Sequence, residues 1–228
     1  MDWQALALTL RLAALTTVLL LIIAIPLAGW IVFTRSRLRA FVEAITTLPL
    51  LLPPTVLGFY LLVLLGPRTI VGRAWIHLTG HPLAFSFSGL VVGSMIYSLP
   101  FAVQPIVAGF SAVDAALIEQ AQLLGAGRWR TLRQVLLPLS TRSVGAAAVL
   151  CFTHTVGEFG VVLMIGGDIP GATRTLSISI YDQVQNFTYA AANRTALVLV
   201  VVSVAALAVL YARRSHAALS VAGELRRG

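Results

Sequence analysis

The stretch LAALTTVLLLIIAIPLAGWIVF, residues 12–33, decides the class of fold, because it runs for 22 residues without a charged side chain. A helix needs about 20 apolar residues to cross a hydrocarbon core of about 30 Å. Lipid offers no partner to an open backbone N–H or C=O, so a segment of this composition must be helical. It is also too long for the apolar region of a secretory signal peptide. Residues 12–33 therefore predict a first membrane span.

Four further segments have the length and composition of a span. They are Ala44–Leu65, Phe87–Gly109, Val144–Ile165 and Ala190–Tyr211. The amphipathic segment Thr69–Leu78 would be a sixth helix, but it is too short and too polar to cross. The sequence predicts an all-α, polytopic helical bundle of five spans, or six with that segment. Residues 1–228 would form one membrane domain with its core at about residues 10–212.

The composition agrees with a membrane protein and excludes other classes. Hydrophobic residues make up 58% of the chain, charged residues make up 11%, and the mean hydropathy is +0.92. The net charge of +8 does not indicate nucleic-acid binding, because no readout motif accompanies the basic residues. The single cysteine, Cys151, lies in an apolar run, which excludes a disulfide framework and a Cys/His metal cluster. We therefore predict neither metal-binding nor catalytic residues.

The arginines predict the orientation, because positively charged short loops stay in the cytoplasm. All sixteen basic residues are Arg, and eleven follow the first span, separate the third from the fourth, or follow the fifth. They are Arg35, Arg37, Arg39, Arg128, Arg130, Arg133, Arg142, Arg213, Arg214, Arg226 and Arg227. The N-terminus would then lie outside and the C-terminus inside, with residues 213–228 as a cytoplasmic tail.

Prolines interrupt two of the predicted spans. Pro49, Pro53 and Pro54 lie in the second span, and Pro100 and Pro105 lie in the third. Each proline removes a helix hydrogen bond and bends or breaks its helix. Broken helices are tolerated in lipid where the freed carbonyls face protein or a water-filled cavity. The prolines therefore favour a transport path, and the alternative is a kinked bundle without one.

The loop between the third and fourth spans, residues 111–140, has the pattern of two short helices. Ser111 and Asp114 predict a capping box that opens the first helix. Residues 125–127, Gly-Ala-Gly, permit a sharp reversal, and residues 129–137 can form a second helix. Their apolar edge on the Arg-rich side predicts a docking element for another protein. The alternative is an amphipathic hairpin that lies on the lipid headgroups.

This loop resembles the cytoplasmic motif of ABC importer permeases, which reads Glu-Ala-Ala, three residues, Gly, nine residues, Ile-x-Leu-Pro. The spacing is intact here, with Gln120 and Val135 in place of an Ala and the Ile. The resemblance implies that residues 111–138 are a coupling loop that docks in a cleft of an ATP-binding cassette subunit. The residues it assigns to coupling are Glu119, Gln120, Ala121, Gly125, Arg128, Trp129, Val135, Leu137 and Pro138.

Residues 47–75 and 154–184 resemble the molybdate-type permeases of that group. The resemblance implies a type I ABC importer permease fold with coupling helices, in a bacterial cytoplasmic (inner) membrane. Molybdate would be the transported ion, and sulfate, thiosulfate or tungstate are the alternatives within the family. The implied partners are an ATP-binding cassette subunit, an extracytoplasmic molybdate-binding protein and a second copy of this chain. ATP would be used by the partner subunit, and this chain would bind no cofactor.

The chain itself is not expected to be an enzyme, because no Gly-x-x-x-x-Gly-Lys-Ser/Thr phosphate loop occurs in it. A non-transport membrane scaffold is the alternative from a different class. A scaffold, however, would need neither broken spans nor a docking loop.

A dianion needs a polar route through the bilayer, since its desolvation would cost tens of kcal/mol. The spans offer these candidates: Thr46, Thr47, Thr55, Ser94, Tyr97, Ser98, Gln104, Thr153, Thr155 and Glu158. For any one hydroxyl, the alternative role is a hydrogen bond between helices. Glu158 stands out, because a carboxylate within an apolar span is costly and usually functional. It could gate the path or pair with an Arg or with His154, or it could be a neutral acid or cap a broken helix.

The predicted outer loops are Arg68–His81 and residues 167–188. Asp168 and Arg174 in the second loop could help to receive the binding protein, or they could serve the turn itself.

Overall fold

The structure, a computed structural model, describes the backbone of residues 2–225 and the side chains of residues 2–208. The regular structure within these residues is helical, which confirms the predicted all-α class. The helices are α1 (Trp3–Phe33), α2 (Leu38–Leu51), α3 (Pro54–Leu64), α4 (Ile70–Thr79), α5 (Phe87–Ser111), α6 (Ala115–Leu123), α7 (Arg128–Leu139), α8 (Thr141–Gly157), α9 (Gly160–Gly166), α10 (Leu176–Gln185) and α11 (Tyr189–Leu225). Arg226 and Arg227, which the orientation argument used, lie outside the described residues.

Three helices are long and apolar enough to cross a membrane, namely α1, α5 and the part of α11 from Tyr189 to Ala208. Two bent pairs also qualify when each pair is taken together. The axes of α2 and α3 meet at 113°, and those of α7 and α8 meet at 79°. Counting each pair as one span gives up to five within the described residues, in rough agreement with the predicted number. Helix α4 is too short to cross, as expected.

The second predicted span, Ala44–Leu65, breaks between α2 and α3, as its prolines predicted. A residue before proline is pushed out of the helical region. Leu52 and Pro53 each precede a proline, and both are extended, with ψ angles of 138° and 135°. Pro54 then starts α3, where its missing N–H costs nothing. Single prolines behave differently, since α5 continues through Pro100 and Pro105.

The fourth predicted span, Val144–Ile165, is wrong as one helix. Helix α8 ends at Gly157, Glu158 is extended with a ψ of 135°, and α9 begins again at Gly160. Helix α9 lies between α3 and α5, where glycines allow close contact. A Cβ on Gly58 would lie 2.8 Å from Met164 Cβ, and one on Gly93 would lie 2.4 Å from Ile165 Cδ1. The segment is thus a packed, broken helix within the bundle.

Helix α10 was not predicted, because its ten residues are too few and too polar to resemble a span. Its first N–H is held by α1, since the N–H of Leu176 donates to Thr9 Oγ1 at 2.9 Å. Leu176 and Ile178 are buried. Helix α1 starts at Trp3, well before the predicted Leu12. Asp2 caps it by accepting from the N–H of Ala5 at 2.9 Å. The early start brings Thr9 to α10.

The largest apolar core joins α1, α5, α7 and α8 at the end of the bundle that carries α6. Phe110, Leu132 and Leu136 are buried there. A Cβ on Gly29 would lie 3.0 Å from Leu132 Cδ1, so α1 and α7 are in close contact. At the opposite end, the N–H of Phe85 donates to the carbonyl of Ile165 at 2.8 Å, which ties the start of α5 to the end of α9. The core therefore packs α7 against α1, α5 and α8.

Candidate functional site

Helix α6 leaves the bundle without burying any of its residues. Its N-cap is Asp114, whose Oδ1 accepts from the N–H of Ala116 at 2.9 Å. The predicted capping box between Ser111 and Asp114 is wrong, because α5 extends to Ser111 and leaves only three residues between the helices. Beyond the cap, the half-buried Ile118 packs against the core that contains Phe110 and Leu132, so one side of α6 contacts the bundle and the other is exposed.

The reversal after α6 is a Schellman turn centred on Gly125. Gly125 has a φ of +82°, the left-handed region that favours glycine. Its N–H donates to the carbonyl of Gln122 at 2.9 Å, and the N–H of Ala126 donates to the carbonyl of Ala121 at 2.9 Å. A Cβ at Gly125 would meet nothing within 4 Å. The backbone angle, rather than space, therefore explains glycine at this motif position.

Helix α7 changes its hydrogen-bonding pattern midway, since Leu132–Leu136 form a π-helical segment. Pro138 has no N–H to donate to the carbonyl of Gln134, which weakens the ordinary α-helical ladder here. The N–H of Leu137 instead donates to Leu132. Short π segments are rare and occur often at functional sites.

We define the coupling surface as the exposed side of α6, the Gly125 turn and the start of α7. Glu119, Gln120 and Trp129 are exposed on it. The other residues that the motif assigned to coupling are Ala121, Gly125, Arg128, Val135, Leu137 and Pro138, all exposed or half-buried. Sequence reasoning missed Leu123, which is 87% exposed, as is Leu124. Two adjacent leucines before the turn glycine were the available signal, and their exposure gives the surface an apolar centre.

A second feature is a pocket of about 540 Å³ at the break between α8 and α9, which we name the Glu158 pocket. It is lined by Pro54, Thr55, Tyr97, Thr153, His154, Gly157, Glu158, Phe159 and Gly160. Four of these residues, Thr55, Tyr97, Thr153 and Glu158, are path candidates from the sequence. The two broken spans bring them together, because the start of α3 faces the start of α9.

Other path candidates do not line the pocket but make hydrogen bonds near it or elsewhere in the spans. Ser98 Oγ lies 2.9 Å from His154 Nδ1 and 3.1 Å from Thr155 Oγ1, which joins α5 to α8. Gln104 donates to Thr47 Oγ1 at 2.8 Å, which joins α5 to α2. These contacts match the alternative of interhelical hydrogen bonding. Thr46 is buried and donates to the carbonyl of Glu43 at 3.0 Å.

Glu158 is 4% exposed, and neither of its carboxyl oxygens has a hydrogen-bond partner among the described residues. Ser94 Oγ is likewise buried without a hydrogen-bond partner among the described residues. The expected partner His154 is engaged elsewhere: it bonds Ser98 and stacks on Phe101 with 4.0 Å between ring centroids. Within the described part of the chain, no three His, Cys, Asp or Glu side chains converge as metal ligands.

At the other end of the bundle, Arg174 and Asp168 form an ion pair. Arg174 Nη2 donates to Asp168 Oδ2 at 3.0 Å, and Nε donates to Oδ1. The hydrogen bond to Asp168 raises the pKa of Arg174. Thr173 donates to the carbonyl of Gly166 at 2.7 Å and accepts from the N–H of Ile169. Many polar groups of this loop, which the sequence predicted to receive the binding protein, are thus hydrogen-bonded to each other within the turn.

Comparison with known proteins gives relatives over nearly the whole chain. The chain is 50% identical over 220 residues to the molybdenum transport system permease protein of Azotobacter vinelandii, covering 96% of this chain and 97% of that one. It is 35% identical to the protein of the same name from Escherichia coli K12, covering 81% and 80%.

Among solved structures, the fold matches a chain of a bacterial ABC transporter involved in the import of the acidic polysaccharide alginate. The TM-score is 0.74 at 21% identity, covering 93% of this chain and 78% of that one. This likeness shows an ABC importer permease fold. Residues 20–219 match the family described as binding-protein-dependent transport system inner membrane component. The chain therefore belongs to that family of membrane permeases.

Proposed function

We propose that this chain is the permease subunit of an ATP-driven ABC importer, and that it moves molybdate across the bacterial cytoplasmic membrane by alternating access. The main structural support is the coupling surface. It joins an exposed apolar centre to α7, whose Leu132 and Leu136 are buried in the core of the bundle. A push on α6 and α7 would therefore reach α1, α5 and α8. The names of relatives at 50% and 35% identity support the substrate.

The importer would need three partners. An ATP-binding cassette subunit would dock on the coupling surface and use the ATP, while this chain would carry no cofactor and no catalytic residue. An extracytoplasmic molybdate-binding protein would dock at the end that holds Phe85 and Arg174. A second copy of the chain would complete the path as a homodimer.

The fold supports the orientation with the N-terminus outside and the C-terminus in the cytoplasm. The end of α1 contacts α7 through Gly29 and Leu132, so Arg35, Arg37 and Arg39 lie at the same end of the bundle as α6. Short loops rich in Arg remain in the cytoplasm. That end is where an ATP-binding subunit would be found.

The translocation path would include the Glu158 pocket. Thr55, Thr153 and Glu158 would contact the ion there. Thr46, Thr47, Ser98 and Gln104 would contribute by holding α2, α5 and α8 in the arrangement that opens or closes the path. No Arg is among the described residues that line the pocket, so the pocket suits transit better than tight binding.

The test is uptake of radiolabelled molybdate into proteoliposomes that contain this chain, its ATP-binding subunit and its binding protein. We expect uptake that requires ATP and that excess sulfate does not suppress. Tungstate and sulfate serve as labelled substrates in parallel reactions. Uptake of sulfate or tungstate instead would change the assigned substrate but leave the assignment as an importer in place. Absence of uptake for every oxyanion would favour a non-transport scaffold.

A further inference from the structure

The Glu158 pocket is lined by two ring side chains whose polar atoms are not used by the rest of the described chain. They are Tyr97 from α5 and His154 from α8, and both are half-buried. Neither Tyr97 Oη nor His154 Nε2 has a hydrogen-bond partner among the described residues, and neither is among the polar atoms that are buried without one. Both atoms can therefore be reached by a molecule in the pocket.

The imidazole ring of His154 is held by three side chains of α5. Its Nδ1 lies 2.9 Å from Ser98 Oγ. Phe101 stacks on it with 4.0 Å between ring centroids and 28° between ring planes, and the ring of Tyr97 packs against it with 4.8 Å between centroids. These contacts fix the orientation of the imidazole beside Tyr97, so Nε2 is the ring nitrogen that is left to form a hydrogen bond in the pocket.

The hydrogen bonds around Ser98 decide which ring nitrogen of His154 carries the proton. Ser98 Oγ lies 2.9 Å from Nδ1 and 3.1 Å from Thr155 Oγ1, and both hydroxyl groups are buried with no further partner among the described residues. If Thr155 donates to Ser98 and Ser98 donates to Nδ1, every hydroxyl proton has an acceptor. If Nδ1 carried a proton, one of the two hydroxyls would have no acceptor, and a buried unpaired donor costs its full desolvation penalty. The network therefore favours a neutral ring with its proton on Nε2.

We propose that His154 Nε2–H and the Tyr97 hydroxyl form a two-donor subsite that a tetrahedral oxyanion contacts in transit, and that Ser98 is a positioning residue that keeps the His154 proton on Nε2. This inference rests on the proposed function. A fully ionised oxyanion has only acceptor oxygens, so a site for it must supply donors. Two uncharged donors hold such an ion without a full positive charge, which suits an ion that must also leave.

The neighbouring acid does not occupy this subsite. Both carboxyl oxygens of Glu158 are buried, and they accept no hydrogen bond from Tyr97 or His154. An isolated buried carboxyl group normally takes up a proton, so it need not repel an anion in the pocket. Contact between Glu158 and the ion would therefore need another stage of alternating access, whereas the two donors are available in the conformation described.

The test uses the assembled complex with its ATP-binding subunit and binding protein. Tyr97→Phe removes only the hydroxyl, and His154→Phe keeps a stacking ring without the donor. Each should lower molybdate uptake about 10-fold or more, as for loss of a hydrogen bond to a charged group, while ATP hydrolysis stays within about 2-fold of the unchanged complex. His154→Gln carries an amide N–H that can replace Nε2–H, and its uptake should stay within about 3-fold of the unchanged complex.

The matched control is Tyr189→Phe, which removes a hydroxyl at an exposed position outside the pocket lining and should transport normally. The Tm of each variant reports whether the permease is folded. Full uptake by Tyr97→Phe and His154→Phe, or equal loss of uptake in the Gln and Phe variants of His154, would overturn the subsite. A parallel loss of uptake and ATP hydrolysis would also overturn it, since the variants would then damage coupling rather than transit.

A second measurement reports on the proton directly and does not depend on transport. With isotope-labelled histidine in the permease alone, solid-state nitrogen NMR of the complex distinguishes a protonated ring nitrogen from an unprotonated one. The signal that is missing from His154→Phe identifies His154. We expect a proton on Nε2 and none on Nδ1, and Ser98→Ala should abolish this preference. A proton on Nδ1 would overturn the donor assignment, and an unchanged spectrum in Ser98→Ala would overturn the positioning role.

The two experiments separate this inference from the proposed function. If the unchanged complex moves no oxyanion, the proposed function and the subsite both fail, while the NMR spectrum still decides the tautomer. If the unchanged complex moves sulfate instead of molybdate, the same variants test the subsite with sulfate, which is also a tetrahedral oxyanion. Normal molybdate uptake by the unchanged complex and by every variant would keep the importer and overturn the subsite.

Discussion

At the scale of single residues, Gly125 is constrained by its backbone angle alone. A residue other than glycine pays about 1–2 kcal/mol in the left-handed region, whatever the space around it. Gly125→Ala should therefore loosen the turn between α6 and α7 and lower ATP-driven uptake several-fold while the protein still inserts. The matched control is Gly127→Ala, since Gly127 has a φ of −67° and open space for a Cβ. Equal uptake by both variants would show that the turn geometry does not matter to transport.

Trp129 tests whether the coupling surface binds a protein or lies on lipid headgroups. It is 61% exposed beside the turn. Exposed Trp residues at the centre of an interface often contribute about 2 kcal/mol or more to binding. Trp129→Ala should weaken binding of the ATP-binding subunit by about that amount, measured by titration of the subunit onto the permease in nanodiscs. Trp3→Ala, at 68% exposure on the first turn of α1, is the matched control. Unchanged affinity at Trp129 would favour the headgroup alternative.

The sequence predicted the turn at Gly125 but left the role of Glu158 open, and the reason is physical. A Schellman turn depends on a few neighbouring residues, so the spacing of Glu119, Gly125 and Pro138 is enough to find it. The surroundings of Glu158 depend on where α8 breaks and on which helices meet there. Neither is a local property, so the sequence left four roles open for this acid.

At the scale of elements, apolar length located the spans but not their breaks. The pair Pro53-Pro54 breaks a helix because two successive residues are forced to be extended. No proline marks the break at Glu158, which lies between Gly157 and Gly160. Helix α10 was missed because it is held by one hydrogen bond to Thr9 and by buried Leu176 and Ile178, which are tertiary contacts.

The packing of α9 against α3 can be tested by substituting Gly58. A Cβ at Gly58 would lie 2.8 Å from Met164 Cβ and 3.1 Å from Val161 Cα, and backbone atoms cannot easily move aside. Overpacking of this kind costs about 1–3 kcal/mol. Gly58→Ala should therefore lower the Tm of the purified permease. Gly145→Ala, in α8 with open space around the new Cβ, should leave the Tm unchanged or raise it slightly. A stable Gly58→Ala variant would mean that α3 and α9 are not tightly packed.

At the scale of the whole molecule, contacts between distant parts of the chain separate two ends of the bundle. One end contains Gly29, Phe110 and Leu132, and the other contains Phe85 and Ile165. The sequence predicted the same grouping from the arginines alone. Short Arg-rich loops lie on one side of a membrane, so loops that share this charge should also lie at one end of the bundle.

Cysteine labelling in intact cells would decide the orientation. The native Cys151 is fully buried, so it should give little background. His81→Cys lies in the exposed loop after α4, at the end that holds Phe85, and should react with a membrane-impermeant maleimide from outside. Ser36→Cys, in the exposed loop after α1, should react only after the membrane is opened. The reverse pattern would place α6 and α7 outside, where no ATP is available, and would remove the coupling surface from the argument for an ATP-driven importer.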